Sequence, residues 1–581
     1  MSWLGEEVAG VQVRSAVPAR ISFGAGDAFV ALALAALLYL GVRLAAGAPA
    51  QLVGPEISLD PAALPYYGLR SLLRMAAAYV LSLAFSLVYG YAAARSRRAE
   101  TVLLPILDVL QSIPILSFLP VVVLALVAIA PGSLGPELAA VILIFTSQAW
   151  NLTFSFYHSL ITVPKDLLEA AGAFRLNWWL RLRSVELPFA AIGLVFNSVM
   201  SWAGGWFFLM AAEQFQLGDR DFRLPGLGSY LKTAAELGNV PALLLGIAAL
   251  IALIVGLDQL VWRPAVAWAD KYKLQTVEEA ESPRSWVLDL LSRSVLLDHL
   301  RRRVVAPLEE ALDGFLGRLL PRPAAMARAS RSRAVSLARA VALGALVVAA
   351  AYGGAGAIAL IASVGARQWL LILAGAGATF VRVLAALTIA LAWTLPLGVA
   401  IGTNHRLANR LLPVVQVAAS VPATALFPVL LLLLIGLPGG LSLAAVLLML
   451  LGTQWYLLFN VIAGAMAIPE DLRYTTDSLG IHGLERWRSF ILPAIFPYLV
   501  TGTITATGGA WNASIVSEYV RFAGITYQTI GLGAVIAASS EAASFQMLLA
   551  STLAMVAIVV LINRLVWRRL YALAEARFHL E

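Results

Sequence analysis

The chain is 581 residues long, 60% hydrophobic and only 13% charged, with a formal net charge of +8 and no cysteine. A soluble domain carries about a quarter charged residues, so a soluble enzyme is excluded, and disulfides, thiolate metal sites and cysteine nucleophiles go with it. The five histidines (His158, His299, His405, His482, His579) form no HExxH pair, which argues against a metal enzyme, and the positive charge reads as basic residues gathered at lipid headgroups with no nucleic-acid motif to compete.

From the N-terminus, Glu6 and Glu7 precede any apolar run, and the first run begins near Ala28. That is too far in for a cleaved signal sequence, so it reads as an uncleaved first span. Candidate spans follow at 28–48, 67–94, 103–130, 137–158, 189–212 and 240–262, then at 335–363, 377–402, 413–436, 441–464, 493–516 and 544–566. None shows the residue alternation of a barrel. The expected fold is an all-α polytopic membrane protein with about 12 transmembrane helices. Arg95, Arg97 and Arg98 follow the second span and Arg263, Lys271 and Lys273 the sixth, while 49–66, 131–136 and 437–440 hold no Lys or Arg. The positive-inside rule therefore places both termini in the cytoplasm. The loop at 213–239 is a mild exception, with Arg220, Arg223 and Lys232 on the outer side.

Several residues inside the spans stand out. Pro114, Pro120, Pro422 and Pro428 interrupt apolar runs. Each is either a packing kink or part of a broken helix whose freed carbonyls line a cavity. Ser112, Gln148, Asn151, Asn197 and Ser201 lie in the first half, and Ser420, Gln454, Thr503 and Thr507 in the second. Any one of them reads as interhelical glue worth about 1 kcal/mol; the set reads as a wet translocation pathway. Arg74 and Arg382 sit in the second span of their half, near the outside, and Glu213 and Glu518 at the outer ends of the fifth spans. An arginine at membrane depth faces protein or water. Each is expected to pair with the glutamate of a half or to attract an anionic substrate.

Between the fourth and fifth spans, residues 167–190 read LLEAAGAFRLNWWLRLRSVELPFA. Pro164 can open a helix, Ala170, Ala171, Gly172 and Ala173 allow close backbone approach, and Leu187-Pro188 starts the next span. A plain connector needs about 2–8 residues. This segment predicts a short helix-turn-helix that docks cytosolic partners, and it returns in weaker form at 472–495.

That return belongs to a duplication. An offset of 305 joins Pro188 to Pro493, Trp206 to Trp511, Glu213 to Glu518, Gly226-Leu227-Gly228 to Gly531-Leu532-Gly533, and Trp262-Arg263 to Trp567-Arg568. An offset of 308 joins Arg74, Pro105, Pro114 and Pro120 to Arg382, Pro413, Pro422 and Pro428. An even number of spans per copy gives a parallel repeat, with a pathway between the halves. The expected segments are a cytoplasmic stretch 1–27, a first unit 28–264, a linker 265–334 and a second unit 335–581. In the linker, Trp286, Leu290, Leu297 and Leu300, then Leu308, Leu312, Phe315 and Leu319, recur at helical spacing. They predict two amphipathic helices on the cytoplasmic membrane face, serving as a tether or a regulatory element.

Glu169-Ala170-Ala171 followed by Leu187-Pro188 resembles the EAA loop of ABC importer permeases. Arg175 replaces the family glycine and Val185 the isoleucine in the first copy. The second keeps Gly480 and Leu492-Pro493 but has Tyr474-Thr475-Thr476 for EAA and Phe490 for the isoleucine. PILDVLQSIPILSFLP (105–120), PVVQVAASVPATALFP (413–428), LPAIFPYLVTG (492–502) and the Glu-then-GLG arrangement at 213–228 and 518–533 are similar to nitrate/sulfonate/bicarbonate-type permeases. The resemblance implies two tandem type I importer units, two cytosolic ABC ATPase subunits, an extracytoplasmic solute-binding protein and a prokaryotic inner membrane. It implies that Glu169, Ala170, Ala171, Gly172 and Arg175, with Asp477, Leu479 and Gly480, couple to the ATPases. No catalytic residue, metal or bound cofactor is expected on this chain. It has no Gly-Lys dipeptide and so no Walker A loop; ATP and magnesium are expected on the partners. The solute is expected to be a small anion. Amino-acid or quaternary-amine import stays open, as does an ATP-independent secondary transporter or channel. The last would need coupling carboxylates, and mid-span Asp and Glu are scarce, Asp108 and Asp258 lying within or near spans.

Overall fold

The computed structural model describes residues 25–45, 54–111, 113–130, 132–217, 220–272, 285–294, 333–522 and 525–577, with a few positions between 299 and 314. The first unit runs α1 (Ala25–Ala45), α2 (Leu64–Arg95), α3 (Arg97–Gln111), a 3₁₀ turn (Ile115–Phe118), α4 (Leu119–Ile129), α5 (Leu134–Ile161), α6 (Lys165–Ala173), α7 (Trp178–Arg181), α8 (Leu187–Glu213), the strands β1 (Gln216–Leu217) and β2 (Arg220–Asp221), α9 (Leu227–Glu236), α10 (Val240–Leu257) and α11 (Arg263–Asp270). Helix α12 (Trp286–Ser292) belongs to the linker. The second unit repeats the order with α13 (Arg333–Ala362), α14 (Ala366–Gly402), α15 (His405–Ser420), α16 (Ala423–Leu434), α17 (Gly440–Met466), α18 (Glu470–Ser478), α19 (Gly483–Arg486), α20 (Leu492–Ser517), β3 (Tyr519–Phe522), β4 (Ile525–Gln528), α21 (Leu532–Glu541), α22 (Phe545–Ile562) and α23 (Arg568–Arg577).

Among the described residues, eight helices are long and apolar enough to cross a membrane; α15 and α16, bent by 78°, make a ninth if taken together. Shorter apolar helices lie at Leu32–Ala45, Ile115–Ile129 and Val347–Ala362. The third span of each half is not one straight helix. Pro114 and Pro422 sit in extended backbone (φ −61°, ψ 113° and φ −68°, ψ 130°), each just before the next helix begins. A residue preceding proline is pushed out of the α region, so the break falls there. Pro120 lies in the first turn of α4, where its missing N–H costs little, and Pro428 lies inside α16.

In each unit the second, fourth and fifth spans pack together: α2 with α5 and α8, α14 with α17 and α20. Close approach depends on a glycine at the same place in both. A Cβ on Gly90 would fall 3.0 Å from Phe156, and one on Gly398 would fall 2.7 Å from Val461. The units also exchange their third spans. Helix α16 packs on α8 and α9, and the 3₁₀ turn before α4 packs on α20 and α22. Across that contact Leu116 N donates to Asn512 Oδ1 at 3.1 Å and Thr552 Oγ1 donates to the Ser117 carbonyl at 3.2 Å. Helix α1 pairs with its counterpart α13. Of the linker positions named from spacing, Trp286 and Leu290 lie in α12; Leu297, Leu300, Leu308, Leu312, Phe315 and Leu319 lie outside the described residues.

Candidate functional site

The two charged loops fold alike. Pro164 and Pro469 stand immediately before α6 and α18. Each helix then ends in a left-handed residue at one shared position, Arg175 (φ 50°) and Gly480 (φ 68°). The next amides close the turn, Leu176 N on the Ala171 carbonyl at 3.0 Å and Ile481 N on the Thr476 carbonyl at 3.2 Å. Glycine is the ordinary residue for such a cap, so the first copy places an arginine in a strained conformation. Glu169, Ala170, Gly172 and Arg175 face solvent, as do Asp477, Leu479 and Gly480, while Ala171 and its counterpart Thr476 are buried anchors. Asp477 is tied to Arg486 of its own loop at 2.7 Å. Phe174 (79% exposed) and Leu479 (70% exposed) occupy the same position, so both loops offer solvent an apolar side chain there; the second loop also exposes Leu484 (84%). Phe174 was not among the sequence candidates; its register with Leu479 was the available signal.

After each turn, α7 and α19 run through a π-helical turn, Leu182–Glu186 and Trp487–Ile491, straight into α8 and α20. The rods are 36 residues (Trp178–Glu213) and 35 residues (Gly483–Ser517) long, about 54 Å at the helical rise. Glu186 ties the first rod to the end of α2, accepting from Arg95 Nη2 at 2.6 Å and Arg181 Nε at 2.8 Å. Asp313 of the linker accepts from Trp179 Nε1 at 2.7 Å and pairs with Arg183.

At the far end of the rods the four charged candidates come together in pairs. Arg74 Nη1 donates to Glu213 Oε1 at 2.7 Å, and Arg382 Nη1 donates to Glu518 Oε1 at 2.9 Å. The same two arginines also donate to the carbonyls of Pro225 and Ile530, both at 2.8 Å. The second oxygen of each glutamate accepts from a backbone amide at the start of the next helix, Gly228 at 2.8 Å and Gly533 at 2.9 Å. A carboxylate suits a helix N-terminus, and the arginine neutralises it. Ser71 and Thr379 complete the pattern by donating to the carboxylates and accepting from Leu227 N and Leu532 N. A Cβ on Gly226 would lie 2.3 Å from Glu213, and one on Gly531 would lie 2.1 Å from Glu518, which accounts for the first glycine of each GLG. The halves differ in one respect. Glu137 gives Arg74 a second carboxylate at 2.6 Å; the equivalent residue is Ser442, which accepts from Arg382 at 3.2 Å.

The polar span residues are less uniform. Asn151 Nδ2 donates to Ser201 Oγ at 3.2 Å, and Asn197 Nδ2 donates to Ser155 Oγ at 3.0 Å, so these join α5 to α8. Thr503 and Thr507 spend their hydroxyls on backbone carbonyls one turn earlier. Gln148 and Gln454 are both buried but stand one residue out of register, since the offset that joins Pro164 to Pro469 sets Gln148 against Thr453; among the described residues the Gln148 amide nitrogen has no acceptor. Ser112 lies outside the described residues. Ser420 closes the last turn of α15 on the Gln416 carbonyl at 2.8 Å. With Gln416 it lines a small cavity between the halves, opposite Trp202, Trp206, Asp258 and Trp262. Asn512, which holds the exchanged third span, was not singled out; a lone Asn in an apolar run was the only hint. Among the described residues no cluster of His, Asp and Glu could hold a metal ion.

The family model described as "Binding-protein-dependent transport system inner membrane component" matches residues 86–261 and 394–579, once in each unit and over more than half the chain. The chain belongs to this family. It is an ABC importer permease, a multi-pass transport subunit with two tandem copies of the family unit in one polypeptide. The permease is 26% identical over 141 residues to the nitrate import permease protein NrtB of Synechocystis sp., covering 24% of this chain and 50% of the relative. It is 29% identical over 122 residues to NrtB of Leptolyngbya laminosa, 21% of this chain and 42% of the relative. It is 27% identical over 143 residues to the bicarbonate transport system permease protein CmpB of Synechococcus elongatus, 25% of this chain and 50% of the relative. The permease therefore spans about half the length of the curated relatives it matches.

Proposed function

We propose that this permease forms the translocation pathway for a small anion of the nitrate or bicarbonate kind, and that two separate ABC ATPase subunits drive it through the loops at 164–188 and 469–493. In this reading those loops and both termini face the cytoplasm, a solute-binding protein delivers the anion to the opposite face, and ATP and magnesium stay on the partners. The units 28–264 and 335–581 are the two moving bodies, tethered by 265–334.

One observation carries the reading: each loop is continuous, through a π-helical turn, with a rod whose far end is the buried glutamate of an Arg–Glu pair. A load on Glu169–Arg175 or on Asp477–Gly480 crosses one hydrogen-bonded turn, closed by Leu176 N on the Ala171 carbonyl or Ile481 N on the Thr476 carbonyl, and then runs along the rod to Glu213 or Glu518. Those glutamates hold the first turns of α9 and α21, so drawing the loops together moves both ends of the pathway. Only a difference in docking energy between states can drive such a switch. Ser112, Gln148, Asn151, Asn197, Ser201, Ser420, Gln454, Thr503 and Thr507 are the candidate wall of the path; the Arg–Glu pairs are locks on its frame. The test is nitrate- and bicarbonate-stimulated ATP hydrolysis by the complete complex in nanodiscs, with Gly172→Trp and Gly480→Trp as loop-blocking variants. The reading predicts that each variant loses stimulation while the permease still folds; full stimulation in both would refute it.

A further inference from the structure

The departure of 213–239 from the positive-inside pattern has a structural setting. Lys232 lies on α9, at the end of the molecule opposite the loops, with its side chain 17% exposed. Its ammonium donates to the Gln214 carbonyl and to Gln216 Oε1, both at 2.9 Å. An ammonium has three N–H groups, so one remains beyond these two; Glu236 is 3.8 Å away. The β3–β4 hairpin of the other unit packs on α9, with Phe522 in the same apolar cluster as Tyr230 and Leu231. That hairpin brings the exposed side chain of Arg521 within electrostatic reach of Lys232. Gln216 and Arg521 are equivalent positions, 305 residues apart. Two equivalent residues near one lysine place it close to the axis relating the halves, where a pathway between parallel repeats emerges. The charged groups facing Lys232 are Glu236 on its own helix, Asp221 on the first hairpin, Arg223 just after it, and Arg521 on the second hairpin. Asp221 is bound to Arg223 at 2.6 Å. With Lys232 itself, three cations face two carboxylates.

Resting on the reading of the permease as an anion importer, we propose that Lys232 and Arg521, one from each unit, form a receiving site for a small monovalent oxoanion at the mouth of the pathway. The ammonium offers its remaining N–H and the guanidinium a planar fork that matches a planar oxoanion. Burial lowers the Lys232 pKa to about 8; Arg223 and Arg521 add to this, while Glu236 and Asp221 oppose it. A bound anion therefore favours the protonated form, and Lys232 loses its charge as outer pH rises through about 8, leaving Arg521 as the site's cation.

The chain has four lysines (Lys165, Lys232, Lys271, Lys273), so each can be followed separately. In the complete complex in nanodiscs, acylation of Lys232 by an amine-reactive ester is measured near pH 8 against sodium nitrate at constant ionic strength. The site predicts that nitrate slows labelling of Lys232 roughly threefold or more, a modest effect for a partly solvated charge pair, and leaves Lys165 unchanged. Arg521→Gln removes the protection. Nitrate uptake should show a KM that rises as outer pH passes through about 8, and Lys232→Arg, which stays charged, should flatten that rise. Equal protection in Arg521→Gln, no protection in the wild type, or an unchanged pH profile in Lys232→Arg overturns the site. If wild-type complex takes up neither nitrate nor bicarbonate, the import reading falls, and the labelling experiment still decides the site.

Discussion

Arg74 and Glu213 form an ion pair 2.7 Å long with side-chain exposures of 3% and 0%, and it recurs 2.9 Å long as Arg382 and Glu518. A charge removed from water without its partner is strongly unfavourable, and breaking such a pair costs about 3–5 kcal/mol. Arg74→Met should therefore lower the stability of the detergent-solubilised permease by that order in a thermal unfolding assay, and Arg74→Glu with Glu213→Arg should recover part of it. Arg382→Met should cost less, because Arg382 is 11% exposed and meets Ser442 where Arg74 meets Glu137. Equal losses would mean that the second carboxylate on Arg74 contributes nothing.

The pairing was half legible in the sequence. A repeat that keeps Arg74, Glu213 and the GLG glycines in register shows that these residues act together, but spacing could not distinguish a lock from an anion site. The structure shows the pair held by Ser71 and Thr379, which look like ordinary small residues on an apolar helix, and by the glycine amides at 228 and 533. Their role exists only once α9 and α21 fold back over α2 and α14. The third spans show the same limit. Four prolines marked them as unusual, yet only Pro114 and Pro422 break the chain, because Pro120 falls in a first helical turn where no N–H is needed. The exchange of those spans between units was not legible, since nothing in a single chain's periodicity says which unit covers which face.

Arg175 and Gly480 make a second test. An L-residue in the left-handed region costs about 1–2 kcal/mol relative to glycine. Arg175→Gly should raise the unfolding midpoint, and Gly480→Arg should lower it by a similar amount. Ala543 (φ 50°) stands where the first unit has Gly238 (φ 64°), so Ala543→Gly should stabilise in the same way. No gain from either glycine would mean the turn opens in solution.

Phe174 and Leu479 bear directly on docking. Both are exposed apolar residues on the loops, and substitution of an exposed residue changes fold stability by less than about 0.5 kcal/mol. Phe174→Asp and Leu479→Asp should leave unfolding unchanged and reduce the ATPase retained on affinity purification, most in the double variant. Full retention in the double variant would move the docking surface elsewhere.

Lys232 gives a pH signature. Its folded pKa, lowered to about 8 by burial, lies below the ordinary 10.5. Between those values the unfolded chain binds more protons than the folded one, so stability rises with pH across the window and is flat below it. Lys232→Met should abolish the slope. A slope that survives in Lys232→Met belongs to another group.

In the proposed mechanism this chain holds no engine and is moved by separate ATPases gripping its two loops. The most direct measurement is uphill nitrate or bicarbonate accumulation in proteoliposomes containing the permease with its binding protein, with and without the ATPase subunits and ATP. Accumulation should occur only when ATPase and ATP are both present, and not at all when both loops carry blocking substitutions. Concentrative uptake by the permease and binding protein alone would contradict it.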